Sequence, residues 1–415
     1  MAAEQVLPVR VRAVARVGGA APIVRGAPVF VAHRRPGRIG GVSVVRLVLV
    51  QLALAGAALG LGRFAVLQLA AVVLALLVLV ATFARWHGRW WSETVVLRWQ
   101  HRQRRITAPA PSNDPRLVAL RSLVPDLTVQ TVELSGGERI GVGRDGSGWF
   151  AVAALAPPEG VSGDARPAPP LDALARLLVE FQQPGAVAQV VTHTVPALAG
   201  AVAGQPYADS YLELVRAAGH APPGEQLTWV AVRLNLRAVA PAVARGEQPE
   251  EEIPALVAVL LRRTVKRLRR AGLRTGALDA DGVLEALARS CDLDRGAGRG
   301  STHGRESWTS WQSEELAHAC FWVRSWPKLS EASGLLTALS AAPAALTSVA
   351  MLLEPAGDGV DLRCLTRIAS PAAALPAACR SLHAAAERTG GHLFQLDGEQ
   401  APAVYASAPT GGGTR

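Results

Sequence analysis

The stretch that most constrains this chain runs from Val42 to Arg105. Phe64 to Phe83 is an apolar run in which only Gln68 and Thr82 are polar, and Leu47 to Leu61 is almost as apolar, with Val42 to Val45 extending it outward past Arg46. A bilayer span needs ~20 apolar residues, each rising ~1.5 Å, to cross ~30 Å of hydrocarbon. The second run meets that outright. The first meets it once Arg46 snorkels to the interface, as a long side chain near a helix end does. Only Gly60-Leu61-Gly62-Arg63 separates the two runs, so 42–84 is expected to form a transmembrane helical hairpin with both flanks on one side. Gly56 and Gly60, spaced as small residues that let helices approach closely, are the expected helix-packing positions.

Charge sets the orientation. Residues 1–46 hold eight arginines against Glu4, residues 85–105 hold six against Glu93, and the turn holds one. Excess Lys/Arg marks the cytoplasmic side. The expected location is therefore the plasma membrane, multi-pass, with both termini cytoplasmic. Tryptophan favours the headgroup layer, so Arg46, Arg85, Trp86, Arg89, Trp90, Trp91 and Trp99 are expected at the membrane interface. A secretory signal peptide would place its apolar run much nearer the N-terminus.

The formal net charge of +10 belongs to this module. Residues 1–105 carry 15 basic and two acidic side chains, whereas 106–415 carry 28 and 31. Anionic membrane lipids explain the basic segment. The remainder lacks the basic surface of a nucleic-acid-binding domain, so no nucleic-acid partner is expected. The four cysteines (Cys291, Cys320, Cys364 and Cys379) form no C-x-x-C pair, and reduced, buried thiols are the expectation.

The order of segments is a basic, flexible N-terminal tail (1–41), the hairpin (42–84), a juxtamembrane basic and Trp-rich helix with its proline linker (85–115), a cytosolic domain (116–406) and a flexible tail (407–415). Alternation predicts strands at Leu127–Leu134, Arg139–Gly143, Trp149–Ala154, Val187–Val195 and Leu227–Leu236. Asp145-Gly146 and Gly357-Asp358-Gly359 mark hairpins. Helical spacing predicts helices at Leu171–Phe181, Tyr207–Ala217, Ile253–Ala271, Asp281–Ser290, Leu335–Ser340 and Pro371–Thr389, the last ended by Gly390-Gly391. Further strands are expected at Glu306–Gln312, Ala317–Trp326, Leu346–Leu353, Val360–Ile368 and His392–Leu396. Hairpins mixed with β-α steps give an α+β class. Two related lobes, about 116–272 and 300–400, fit the order of elements without an exact sequence repeat.

The motif search yields mostly exclusions. There is no G-x-x-x-x-G-K-[ST], and Lys266 and Lys328 are the only lysines. There is no H-E-x-x-H, no zinc-spaced Cys/His cluster and no G-x-S-x-G. Asp279-Ala-Asp281 and Asp292-Leu-Asp294 have the D-x-D form with which nucleotide-sugar transferases hold a hard cation. That raises the alternative of a membrane-anchored, metal-dependent glycosyltransferase-like enzyme, but Asp281 also reads as an N-cap. Arg262, Arg263, Lys266, Arg267, Arg269 and Arg270 crowd the end of the longest soluble helix. A solvated face is the ordinary reading of such a run, and a docking surface for anionic lipid or an acidic partner the sharper one. No catalytic residue, metal or cofactor is expected.

Several stretches together resemble one family. They are the apolar hairpin, Arg85-Trp86-His87-Gly88-Arg89-Trp90-Trp91, Trp99 to Arg105, Glu138 to Gly143, Gly146 to Phe150, Val190 to His193, Leu227 to Leu234 and Cys320 to Val323. The layout resembles EccE, a conserved membrane component of actinobacterial type VII (ESX) secretion systems. The resemblance implies a structural, non-enzymatic subunit. Its partners would be the other membrane components of the complex, including a separate ATPase subunit.

Overall fold

The protein is described from a computed structural model, which covers residues 112–156, 170–181, 183–196, 223–246, 249–293, 304–328, 331–356 and 359–413, together with 85–86, 89–106 and a few shorter stretches before them. The chain divides into two compact units, residues 33–107 and residues 1–32 with 108–415. The first strand, β1 (Phe30–Ala32), belongs to the larger unit.

In the smaller unit, β2 (Arg38–Ile39) pairs with β3 (Val42–Ser43), and β4 (Arg85–Trp86) with β5 (Arg89–Trp90), both antiparallel. The helix expected from Arg85 therefore begins only at Trp91, as α1 (Trp91–Ile106). Gly88 disfavours helix propagation and tryptophan suits an extended pair, so a short ladder forms first. Trp99 on α1 is exposed. Leu69, Val73 and Leu76, at i, i+4 and i+7 of helical backbone, are also exposed and form an apolar stripe. Among the described residues no helix is long and apolar enough to cross a membrane. Arg46, Gly56, Gly60 and most of 42–84 lie outside the described residues, as do the side chains of Arg85, Trp86, Arg89, Trp90 and Trp91.

The larger unit is built on one sheet. After α2 (Pro115–Arg121) come β6 (Thr128–Glu133), β7 (Arg139–Asp145) and β8 (Gly148–Leu155). Then follow α3 (Leu171–Phe181), β9 (Ala186–Pro196), β10 (Pro223–Asn235), α4 (Leu236–Ala244), α5 (Ile253–Arg270), β11 (Thr275–Ala277) and α6 (Ala280–Ser290). The second half contains β12 (Arg305–Glu306), β13 (Trp311–Gln312), β14 (Ala317–Ser325), α7 (Ala332–Ser340), β15 (Leu346–Ala356) and β16 (Gly359–Ser370). It closes with α8 (Leu375–Arg388), β17 (His392–Gln395) and α9 (Gln400–Ala406).

The sheet order is β12-β13-β14-β16-β15-β9-β10-β8-β7-β6, with β11 beside β8, β17 beside β14 and β1 beside β16. This order contains a repeat. In the first half, β8-α3-β9-β10-α5-β11 is a β-α-β-β-α-β unit whose third strand lies between its first and second. In the second half, β14-α7-β15-β16-α8-β17 repeats that arrangement. The two second strands, β9 and β15, pair antiparallel through Val190↔Met351 and Val191↔Ala350, joining the halves into one sheet. Each unit is followed by one more helix, α6 in the first and α9 in the second.

Both faces of the sheet are covered, which explains why its central strands read as nearly unbroken apolar runs. One face of β8 sends Trp149, Ala151 and Ala153 against α3 and α5; the other sends Phe150 and Val152 against α2, α6 and α9. Helices α7 and α8 cover the second half on the side of α3 and α5. Gly390, at φ +75, ends α8 as the Gly-Gly signal requires.

Three expectations are corrected here. Asp279, not Asp281, caps α6, accepting the Gly282 N–H at 2.9 Å. The N-terminal segment is not wholly a loose tail, because Phe30–Ala32 pairs parallel with Val360–Leu362 of β16, beyond the part of β16 that β14 covers. Residues 407–413, flexible by composition, are packed into the domain, with Ser407, Ala408 and Thr410 fully buried. The helix expected at Tyr207–Ala217 lies outside the described residues.

Candidate functional site

The polar chemistry of the larger unit is concentrated on the sheet face beneath α6 and α9. Two arginines, Arg233 on β10 and Arg367 on β16, lie there almost without solvent exposure. They occupy matching places, each on the third strand of its repeat. Arg233 lies opposite Phe150 and Val187, and Arg367 lies opposite Cys320 and Ser348. Each reaches across to the segment at the end of the other repeat's last helix. Arg233 donates to the Thr410 carbonyl beyond α9 at 2.8 Å, and Arg367 donates to the Ser290 carbonyl at the end of α6. A cation suits such a terminus, where carbonyls are left without helical partners.

The two arginines are balanced differently. Arg233 is paired with Asp145, which lies wholly buried at the β7–β8 turn. Asp145 also accepts the Ser147 N–H at 2.9 Å and the Tyr405 hydroxyl at 2.8 Å. Burial pushes the Asp145 carboxyl up, but the hydrogen bonds and charge of Arg233 outweigh it and hold the group below its ordinary value. Burial, reinforced by the Asp145 charge, pushes the Tyr405 phenol well up, so it stays a donor. Asp145 was expected only as a turn residue; its side chain is the counter-charge of the core.

Among the described residues no carboxylate pairs with the Arg367 guanidinium. Besides Ser290, it donates to the Ser348 hydroxyl at 3.1 Å, and its Nη1 lies 3.4 Å from His318 Nδ1. His193 Nδ1 lies 2.9 Å from the same Ser348 hydroxyl. His318 Nε2 lies 3.7 Å from Asp292, which accepts from Ser313 at 2.7 Å. Burial, joined by the Arg367 charge, takes His193 down to about 3. Burial takes His318 down to about 4 despite the opposing effect of Asp292. Both rings are neutral at pH 7, so His318 beside Arg367, and His193 through Ser348, add no charge to the site. Burial holds the Cys291 and Cys320 thiols at about 11 and 12; all four cysteines are free, and these thiols stay protonated.

The residues singled out from sequence fare unequally. Arg262 reaches the Ser135 carbonyl at 3.5 Å, Arg267 pairs with Glu180 at 3.3 Å, and Arg269 donates to the Thr275 carbonyl at 2.8 Å. Arg263, Lys266 and Arg270, spaced i, i+3 and i+7, are exposed along α5. Among the described residues the D-x-D aspartates do not converge, and Asp294 lies outside the described residues. Asp279 serves as a cap, Asp281 pairs with Arg116 at 2.8 Å, and Asp292 is buried beside Ser313. Among the described residues no cluster of three His, Cys, Asp or Glu is placed to hold a metal ion. Trp311 is buried, with its ring 5.1 Å from that of His318, in keeping with a packing role. The arginine pair was missed, although Arg233 interrupts the apolar run Trp229 to Leu234, and that interruption was the available signal.

Residues 222–323 match the family model described as "Putative type VII ESX secretion system translocon, EccE". Over this segment the chain is similar to the EccE family. The matched segment runs from the third strand of the first repeat to the first strand of the second, and it carries Arg233, Asp292 and His318. No curated protein matches the chain. Two solved structures titled alkyldihydroxyacetonephosphate synthase are similar at 10% identity and a TM-score of 0.25. One alignment covers 58% of this chain and 39% of that one, the other 68% and 52%. The chain thus spans about two-fifths to one-half of those proteins, and a likeness this distant carries no functional argument.

Proposed function

We propose that the chain is a non-enzymatic structural subunit of a type VII secretion complex. In this reading a membrane hairpin anchors a docking domain in the cytoplasm beside partner subunits and a separate ATPase. The observation that carries the reading is the match of residues 222–323 to the EccE translocon family. Two features of the structure support its finer parts. First, β1 precedes the apolar stretch and β16 follows it, yet Phe30–Ala32 pairs with Val360–Leu362. Two segments of one sheet share a side of any membrane, which fits a hairpin that leaves and returns on the cytoplasmic face. Second, Arg263, Lys266 and Arg270 form an exposed cationic stripe on α5, suited to an acidic partner surface or anionic headgroups.

The test is the native mass of the tagged protein after mild-detergent extraction from its own membranes, with its companions identified. The proposal expects a large assembly containing an ATPase-bearing membrane protein. It expects that R263E/K266E/R270E loosens this assembly without unfolding the chain. A monomer or bare homodimer across several detergents would overturn it. Cysteines at Val31 and Asp361, opposed in the β1–β16 register, test the anchor: a short crosslink should form in intact membranes, and failure to form one would contradict the shared-side topology.

A further inference from the structure

The segment after α9 enters a trench whose walls belong to the first repeat and to β15. Gln189 of β9 accepts the Thr410 and Gly411 N–H groups at 3.1 and 2.7 Å, and its amide donates to the Ala406 carbonyl at 2.8 Å. Arg233 donates to the Thr410 carbonyl. These contacts read main-chain atoms, not side chains. The trench also has almost no width. A Cβ on Gly411 would come within 2.4 Å of Arg233 Cβ, one on Gly412 within 1.8 Å of Leu352 Cδ2, and one on Gly413 within 2.2 Å of Arg233 Nη1 and 2.7 Å of Asp145 Oδ2. Gly411 and Gly412 also sit at φ +71 and +70, which other residues rarely adopt.

The trench keeps its shape by contacts that do not involve the strap. Asp145 and Ser147 hold Arg233, with the Phe150 ring 5.9 Å from its guanidinium. The strap is the weaker partner. It is made of small residues, and three consecutive glycines carry the largest loss of backbone freedom on ordering. With the strap withdrawn, the Gln189 carbonyl oxygen and one Arg233 donor would face an empty slot that, at the places of Gly411, Gly412 and Gly413, admits only residues without Cβ.

From this we infer that the Gln189–Arg233 trench is a binding site for a glycine-rich peptide segment held in turns, filled in this chain by residues 407–413 and open to the same chemistry from a partner chain when the strap leaves. The inference does not depend on the secretion reading.

Three measurements on the full chain test it. The first is native-state amide exchange of residues 410–413, which should proceed by local opening, well before exchange of the β9 and β15 amides. The second uses a labelled peptide, Ala-Ser-Ala-Pro-Thr-Gly-Gly-Gly. It should bind Gly412→Val, whose side chain cannot enter the trench, at least tenfold more tightly than the unaltered chain. Adding Gln189→Ala to Gly412→Val should abolish that binding. Thr410→Pro, which removes an N–H given to Gln189, serves as a second strap variant. Exchange of the strap only on global unfolding would overturn the inference. So would failure of both strap variants to fold, or a folded strap variant that leaves the peptide unbound.

Discussion

The two arginine latches occupy equivalent places in the repeat and hold equivalent chain segments, but they are built from different chemistry. Around Arg233 the charge is matched by Asp145, and a tyrosine, a serine and a backbone carbonyl complete the shell. Around Arg367 the work is spread over a carbonyl, two serines and a histidine held neutral, with Asp292 one residue further out. The comparison teaches that a repeat conserves where a buried cation goes and what it must hold, while leaving open how the charge is balanced. A buried cation with a direct counter-ion is highly sensitive to loss of that partner. A cation solvated by several dipoles shares the loss among them.

The comparison breaks most visibly at Asp145. Asp145→Asn strands Arg233 in the core and should cost about 3–5 kcal/mol in urea unfolding; a loss below about 1 kcal/mol would mean the pair is not the balance of that latch. Acid should separate the latches next. The unfolded chain protonates His193 and His318 near pH 6.5, whereas the folded chain keeps them neutral down to about 3 and 4. Between those limits the unfolded state binds more protons, so stability falls as pH falls below about 6.5, by up to ~2.7 kcal/mol per pH unit for two protons. The Asp145 contribution, with its lowered folded value, is lost only further into acid, below about pH 4. Unfolding curves of His318→Asn should therefore show a shallower decline between pH 6.5 and 4; an unchanged slope would place the acid sensitivity elsewhere.

Arg367→Met should cost less than Asp145→Asn, about 1–3 kcal/mol, because it removes hydrogen bonds but leaves no bare charge next to it. An equal or larger loss would remove the contrast between the latches. The smallest effect belongs to the solvent side. Asp281→Asn breaks an exposed pair with Arg116 and should change the urea midpoint by no more than about 1 kcal/mol.

The strands and helices of the described domain were largely legible, because their signals are local. Leu171–Phe181 has helical spacing, Asp145-Gly146 marks a turn, and Ala186–Pro196 is rich in β-branched residues. The order of elements left two related lobes open, but the arrangement of the repeat was not legible, since it resides in strand order and the pairing of β9 with β15, and no sequence period accompanies it. The strap failed for the opposite reason. Composition made 407–415 a free tail, but the same glycines that loosen a tail also let it enter a trench too narrow for other residues. The latches lie between these cases. Arginine inside an apolar strand was visible at Arg233, whereas Arg367 lies among other polar residues of β16, and the partners at Asp145, Thr410 and Ser290 are far away in sequence.

The central structural claim is that the reciprocal latches make the two repeats one body. Native-state hydrogen exchange, comparing β9 and β10 with β15 and β16 in the unaltered chain and in Asp145→Asn, tests this most directly. The account predicts that both pairs of strands exchange with one common free energy, and that Asp145→Asn lowers it equally in both halves. A substitution that lowers protection only in β9 and β10 and leaves β15 and β16 unchanged would show two independent bodies and contradict the account.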